Sequence, residues 1–343
     1  AAKVYQYLIN QGLNHHRVFS NYGAILRKNG EVDKAIKVYK ECISNFPKIP
    51  IAYSNLGNIL KDLGNLKEAL FYTKIAIKLN PNFAEAHSNL SNILMHLGNL
   101  EAAEKSIRKA ILLKPNLAIA HHRLGAILIE LGQIKEAEIS TLKAISLNQN
   151  LADSFSNLGN IYKGLGNLEQ AEIYTRKAIT LNPNLSEAYS ILGSILIDLG
   201  EIKEAEISLY RAIKLNPNLS RAYYIISTLK NISIEKDFYN YLFSETILEN
   251  KKEKDKIDIY FARSNLLHKK HEFSGSGYNL KLANNLKLKV FKSEKNIYIG
   301  KTQKLYKEFN NLQEEENDTS NSNKYIFIVG MFRSGSTLVE SIL

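Results

Sequence analysis

The sequence predicts an all-α superhelical solenoid that is followed by the first strand, loop and helix of an α/β domain. Three observations lead to this fold class. Glycine, alanine and proline recur at a spacing of 34 residues through the first two thirds of the 343-residue chain. Apolar residues inside each of these units follow helical spacing. The end of the chain combines a run of β-branched and aromatic residues with a glycine-bearing loop.

One row of glycines and two rows of small residues define the repeat. The glycines, each 34 residues from the next, are Gly30, Gly64, Gly98, Gly132, Gly166 and Gly200. The small residues are Ala35, Ala69, Ala103, Ala137, Ala171 and Ala205, followed in each unit by Cys42, Ala76, Ala110, Ala144, Ala178 and Ala212. Five of the six prolines share one further phase, and Gln149 occupies the missing place. Six full units follow: 16–49, 50–83, 84–117, 118–151, 152–185 and 186–219.

Each unit is predicted to form two amphipathic helices. In the second unit Leu56 and Leu60 lie four residues apart, on one face of the first helix. Gly64 is expected to end that helix, because glycine adopts the left-handed cap at little cost. Gly57 and Ala69 are expected where the two helices cross, since larger side chains would push them apart.

These residues resemble the tetratricopeptide repeat (TPR), and the resemblance covers residues 16–219. Residues 1–15 are interpreted as the second helix of an earlier, partial unit. Residues 220–312 are predicted to contain capping helices and a degenerate repeat at 257–290. Because stacked repeats bury a continuous core only against their neighbours, the resemblance implies a right-handed superhelix whose first helices line a concave inner face.

Polar side chains recur at two places of the first helices and form the candidate peptide-binding groove. At the sixth and ninth places of the units the groove residues are Asn21, Asn55, Asn58, Asn89, Asn92, Arg123, Asn157 and Asn160. An asparagine amide both donates and accepts hydrogen bonds, so a row of them can bind an extended peptide or protein segment regardless of its sequence. The alternative is that asparagine is simply frequent at these phases in an asparagine-rich sequence.

The final segment follows a predicted linker at 313–324 and is interpreted as a strand, a loop and a helix over 325–343. This arrangement aims backbone N–H groups at a phosphate. The spacing from Gly330 to Thr337 matches a Walker A loop, but Ser336 stands where that loop has lysine. The substitution disfavours hydrolysis of a nucleoside triphosphate, which leaves a P-loop NTPase as the weakest of the interpretations.

The same loop resembles the 5′-phosphosulfate-binding loop of sulfotransferases, in particular bacterial TPR-containing sulfotransferases related to protein-tyrosine sulfotransferases. Residues Arg333, Ser334, Gly335, Ser336 and Thr337 match that loop place for place, whereas Phe332 replaces its usual proline. The resemblance implies that these residues bind PAPS (3′-phosphoadenosine 5′-phosphosulfate). It also implies that Arg333 stabilises the charge that develops as the sulfuryl group leaves for a hydroxyl acceptor such as protein tyrosine.

A sulfotransferase also needs a 3′-phosphate site, an acceptor pocket and a catalytic base, and the sequence stops before any of them. We therefore expect a fragment whose parent protein is a PAPS-dependent sulfotransferase and which is inactive alone. The rival interpretation is a non-catalytic TPR scaffold for protein–protein interaction.

Composition excludes several other classes of protein. The net charge of +11 is spread along the chain without the basic and aromatic interleaving of nucleic-acid binders. No apolar run reaches the roughly 18 residues that a membrane span needs. A single cysteine, Cys42, fits a reducing compartment, and we expect a cytoplasmic protein. The histidine pairs His121–His122 and His268–His271 have no cluster of carboxylates or thiols beside them, so no metal site is predicted.

Overall fold

A computed structural model describes residues 2–230, 236–249 and 251–290. These residues form seventeen α-helices and one 3-10 helix, and the described part of the chain contains no strand. The chain divides into two compact units, Ala1–Leu286 and Lys287–Leu343, and of the second unit only the end of the last helix is described. The predicted linker at 313–324 and the predicted strand, loop and helix at 325–343 lie outside the described residues.

Six helix pairs make up most of the first unit. The first helices of the pairs are α2 (His16–Lys28), α4 (Pro50–Asp62), α6 (Ala84–His96), α8 (Ala118–Glu130), α10 (Ala152–Gly164) and α12 (Ser186–Leu199). The second helices are α3 (Val32–Asn45), α5 (Leu66–Leu79), α7 (Leu100–Leu113), α9 (Ile134–Leu147), α11 (Leu168–Leu181) and α13 (Ile202–Leu215). A shorter helix, α1 (Ala2–Asn10), precedes the pairs and contacts α2.

The turn inside each pair depends on backbone conformation. Gly64 has a φ of 81°, and the other five glycines of its row have φ values between 75° and 85°. A β-carbon at Gly64 would meet no atom within 4 Å, so the available space does not require glycine. The positive φ requires it, because this conformation is costly for residues that carry a β-carbon.

The core lies between the helices of a pair and between successive pairs. Both rows of small residues are fully buried: every member, from Ala35 and Cys42 to Ala205 and Ala212, has 0% exposure. Larger residues such as Leu56 and Leu158 fill the space around them, also at 0% exposure. Because each pair contacts its neighbours, burial is continuous along the chain, as expected for a solenoid.

The helices after the sixth pair depart from the regular repeat. They are α14 (Ser220–Ser227), α15 (Lys236–Phe243), the 3-10 helix (Thr246–Leu248), α16 (Glu253–Lys269) and α17 (Phe273–Val290). Helix α14 packs on α16, and the buried Arg263 guanidinium donates to the carbonyls of Leu242 and Ser244, both at 2.8 Å. In the turn between α16 and α17, His271 occupies the place of the repeat glycine with a φ of 61°.

Candidate peptide-binding groove

The first helices of the pairs form one continuous layer. Each contacts the first helix of the next pair directly, from α2 through α4, α6, α8 and α10 to α12. Sixth-place and ninth-place residues lie three apart on each of these helices, so they share one face of the layer. This face is the candidate groove, and its polar groups divide into those already bonded within the chain and those left free.

Two sixth-place side chains bond to a serine at the fifth place of the preceding pair, 35 residues earlier. The Asn89 Nδ2 donates to Ser54 Oγ at 3.0 Å. The Arg123 Nη1 donates to the Ser88 carbonyl at 3.0 Å and to Ser88 Oγ at 2.6 Å. These bonds hold neighbouring first helices together, so the sixth-place donors serve the stacking of the solenoid.

The remaining sixth-place asparagines also have partners within the chain. The Asn157 Nδ2 lies 3.5 Å from His122 Nδ1, at the outer limit of a hydrogen bond. The Asn21 and Asn55 amides donate to the tyrosine hydroxyls of Tyr5 and Tyr39, both at 3.3 Å. The sequence pattern predicts these asparagines in the groove, but it does not show that each contacts a preceding helix.

The ninth-place asparagines have free amides. Among the described residues, Asn58, Asn92 and Asn160 form no hydrogen bond through their side chains, although Asn58 and Asn92 are half-buried. A half-buried amide without a partner in the protein is available to a ligand backbone, which offers both N–H and C=O groups. The ninth place therefore holds the amides of the groove that a peptide can use without breaking an existing bond.

The centre of the layer carries a cation that no acidic side chain neutralises. Within the described chain Arg123 makes no ion pair, and its hydrogen bonds go to Ser88 alone. Burial lowers the pKa of the Arg123 guanidinium, and the charge of Asp62 acts in the opposite direction. Burial lowers the pKa of the neighbouring His122 imidazole and so disfavours its charged form, and this imidazole shares a hydrogen bond with Ser154 Oγ at 3.1 Å. This arrangement favours a ligand that brings a carboxylate to Arg123.

A row of ion pairs follows the carboxyl ends of the first helices. A cation at the twelfth place of one pair meets an acid at the thirteenth place of the next: Arg27 pairs with Asp62, and Lys163 Nζ lies 3.0 Å from Asp198 Oδ2. We call this row the rim of the groove. This row is not among the features predicted from the sequence, although the 34-residue phase of the charged residues indicates it.

The predicted PAPS-binding residues Arg333, Ser334, Gly335, Ser336 and Thr337 lie outside the described residues. Among the residues that the structure does describe, no group of three or more histidine, cysteine, aspartate or glutamate side chains could hold a metal ion. A search of the same residues found no helix both long and apolar enough to cross a bilayer.

Helix pairs of 34 residues, stacked through small buried residues and turned by left-handed glycines, define a TPR protein. More particularly, residues 2–222 match the family model of the Cilia and flagella-associated protein 70 C-terminal domain, and the chain belongs to this family. The matched segment consists of the helical repeats. It supports the interpretation as a TPR interaction scaffold better than the interpretation as a sulfotransferase.

Solved structures share the fold. A TPR protein from Parabacteroides merdae is 18% identical, with a TM-score of 0.53 over 67% of this chain and 91% of that chain. The Cut9–Hcn1 hetero-tetramer of the APC/C is 16% identical, with a TM-score of 0.61 over 80% of this chain and 51% of the matching chain. At these identities the likeness shows the fold alone. No curated protein matches the sequence.

Proposed function

We propose that the chain is a protein-binding scaffold that holds an extended segment of a partner in the groove of its first helices. The observation that carries this proposal is the set of free ninth-place amides on either side of an unneutralised arginine. Asn58 and Asn92 precede Arg123 along the layer, and Asn160 follows it. A peptide lying across the layer would exchange backbone hydrogen bonds with the amides and place an acidic group at Arg123.

The expected affinity is modest. Each hydrogen bond to a neutral amide contributes about 0.5–1.5 kcal/mol, and a bond to a charged group about 1.5–3 kcal/mol. Three amides and one arginine sum to about 3–7.5 kcal/mol, which corresponds to a dissociation constant on the order of micromolar to millimolar before the entropy of ordering the peptide is subtracted. Because that entropy opposes binding, we expect the measured affinity to lie at the weak, millimolar end. Such binding suits a partner that is held at several places or at high local concentration.

The test is a binding measurement with two random libraries of 12-residue peptides, one with a fixed central glutamate and one with glutamine at that position. Selected peptides are then titrated against the full chain by calorimetry. We expect the glutamate library to give the tighter binders. Replacing Asn58 and Asn92 together by alanine should weaken binding about fivefold or more, because two amide contacts are lost.

The matched control is Asn116→Ala, which removes an exposed asparagine that has no hydrogen bond and stands in the turn after α7. This variant should bind as the unmodified chain does. All variants should retain their thermal stability, since the removed amides have no partner within the protein. Equal binding by the double variant and the control would remove the groove amides from the proposal.

A second proposal rests on the sequence of residues 330–337 and is independent of the groove. The match of Arg333–Thr337 to a phosphosulfate loop supports sulfuryl transfer from PAPS as a second function. The test uses the full-length protein and adenosine 3′,5′-bisphosphate in a thermal-shift assay. We expect stabilisation that Arg333→Ala removes, while Asn58→Ala leaves it unchanged. A full-length protein that ignores the nucleotide would leave the scaffold as the only function.

A further inference from the structure

Lysines at the start of α16 reach back to helices far earlier in the chain. We call residues 251–254 the bridging segment. The Lys254 Nζ lies 2.7 Å from Glu130 Oε2, across 124 residues of sequence. The Lys251 Nζ donates to the carbonyl of Asn218, in the turn before α14. The pKa of His96, the last residue of α6, is lowered first by burial and then by the positive charge of Lys252. Lys252 therefore lies near the end of α6. The bridging segment therefore joins the end of the sixth pair to the ends of α6 and α8.

Glu130 lacks the partner that equivalent acids of the rim possess. Asp62 and Asp198 each pair with a cation at the twelfth place of the preceding pair. For Glu130 that place is Met95, whose side chain carries no charge. Glu130 is therefore an acid of the rim for which the preceding pair offers no cation, and Lys254 provides the positive charge instead. Lys254 thus supplies at Glu130 the positive charge that the preceding pair supplies at Asp62 and Asp198.

The contact lies on the groove face of α8. Glu130 follows Arg123 by seven residues, and two turns of helix place both on the same face. A peptide that lies across the layer at Arg123 and extends toward the rim would meet Lys254 at Glu130. We propose that the bridging segment restricts access to the groove at α8. Release of the segment from Glu130 then favours ligand binding at α8, and ligand binding at α8 favours release of the segment. This inference rests on the proposed peptide-binding function and concerns its regulation.

The contact is weak enough to be displaced. The side chains of Lys254 and Glu130 are 59% and 48% exposed. Exposed ion pairs of this kind change an equilibrium by about 1.5- to fivefold, and salt weakens them. We therefore expect release of the bridging segment to tighten ligand binding by no more than about fivefold at low ionic strength, with the difference shrinking as salt is added.

The first measurement needs no ligand. Ala126→Cys places a thiol on the groove face of α8, one turn before Glu130, and its rate of labelling by a polyethylene-glycol maleimide reports access to that face. The native Cys42 reacts slowly, because it is fully buried and burial raises the pKa of its thiol. We expect Lys254→Glu to speed labelling of the introduced thiol about two- to fivefold. The exchanged pair, Lys254→Glu with Glu130→Lys, should restore the slow rate.

The matched control is Lys163→Glu, which breaks the rim pair between Lys163 and Asp198 without touching the bridging segment. It should leave the labelling rate unchanged. The same variants, without the Ala126→Cys change, are then titrated with the glutamate-library peptides. Lys254→Glu should tighten their binding, and the exchanged pair should return it to the original affinity.

Two outcomes separate this inference from the proposed function. If labelling and peptide affinity are the same in all variants while peptides do bind, the bridging segment does not restrict the groove and the inference fails alone. If labelling follows the bridging contact but no peptide binds any variant, the peptide-binding function fails, and the proposed competition fails with it.

Discussion

At the scale of single residues, the crossing of the two helices in a pair decides which side chains are tolerated. A β-carbon added at Gly57 would lie 2.4 Å from Thr73 Oγ1 and 3.0 Å from the Ala69 carbonyl oxygen. In the third unit the same place holds Ser91, whose Oγ donates to the Ala103 carbonyl at 2.7 Å. Glycine stands at this place where a threonine of the second helix faces it, and also where Tyr39 faces Gly23 and Leu209 faces Gly193. Only the third unit accommodates a serine there.

We predict that Gly57→Ala destabilises the protein by about 1–3 kcal/mol, because the added methyl group overlaps Thr73 and the Ala69 carbonyl. The matched control is Gly164→Ala at the end of α10, where an added β-carbon meets nothing within 4 Å. That variant should be unchanged or more stable by up to about 1 kcal/mol, because alanine favours the helix. Urea denaturation followed by circular dichroism measures both, and equal stability of the two variants would contradict the packing argument.

The buried imidazole of His122 gives a second residue-scale prediction, on pH. Burial lowers the pKa of His122 from its ordinary value of 6.5. The unfolded chain therefore binds a proton at this residue at a higher pH than the folded chain does. As pH falls through about 6.5 the protein should lose stability, and the loss should stop once pH passes below the folded pKa.

The measurement is the midpoint of urea denaturation between pH 8 and pH 5 for the unmodified chain and for His122→Gln. The variant should lose less stability over this range. Because His16 and His96 also have lowered pKa values, the variant should retain part of the acid sensitivity. Parallel curves for the two proteins would show that His122 does not contribute.

At the scale of helices, the second helices of the pairs begin at the same phase but are capped differently. The side chains of Asn99 and Asn167 accept a hydrogen bond from the backbone N–H three residues on, both at 3.2 Å, at the starts of α7 and α11. Asn65 occupies the same place before α5 and makes no such bond. Since an N-cap side chain satisfies one of the free N–H groups of the first turn, α7 and α11 have an advantage that α5 lacks.

We predict that Asn167→Ala lowers the protection of the first turn of α11 against hydrogen exchange by about 1 kcal/mol. Asn65→Ala, the matched change at α5, should have a clearly smaller effect, because no cap bond is lost. Local exchange is the appropriate measurement, since a repeat array need not unfold in one step. An equal loss of protection at both helices would mean that the hydrogen bond at Asn167 is not what matters.

At the scale of the whole first unit, the two ends of the helical array differ. Helix α1 has no buried residue, and its Ala2, Tyr5 and Ile9 are only partly buried against the cluster that contains α2. The other end is closed by a hydrophobic cluster in which Tyr223 of α14 stacks on Phe238 of α15, with Leu242 and Leu266 at 0% exposure. In an array stabilised by contacts between neighbours, the end with less burial opens first.

We predict that hydrogen exchange begins at α1 and reaches α14–α16 later. The physical reason is the difference in buried apolar surface at the two ends. Exchange followed by mass spectrometry on peptides from both ends of the first unit provides the measurement. If α14–α16 exchanged before α1, the cluster around Tyr223 would not be acting as a cap.

The sequence by itself determined the repeat, the helix pairs, the left-handed glycines and the closely packed alanines. These features depend on local conformation and on a fixed spacing, which are written in the order of residues. It also placed eight polar residues on one face, but it could not divide them into bonded and free groups. Whether a groove side chain is bonded or free depends on which residues of the preceding helices come into contact with it in space. Asn89, for example, bonds to Ser54, which lies 35 residues earlier in the sequence.

Only the tertiary structure decided where the chain meets itself over long distances. The pairing of Lys254 with Glu130 joins residues 124 apart, and no periodicity relates them. Small rotations between successive pairs add up along the array, and their sum determines which distant surfaces approach each other. A spacing rule describes one such rotation, whereas the contact at Glu130 depends on the sum of all the rotations between α8 and α16.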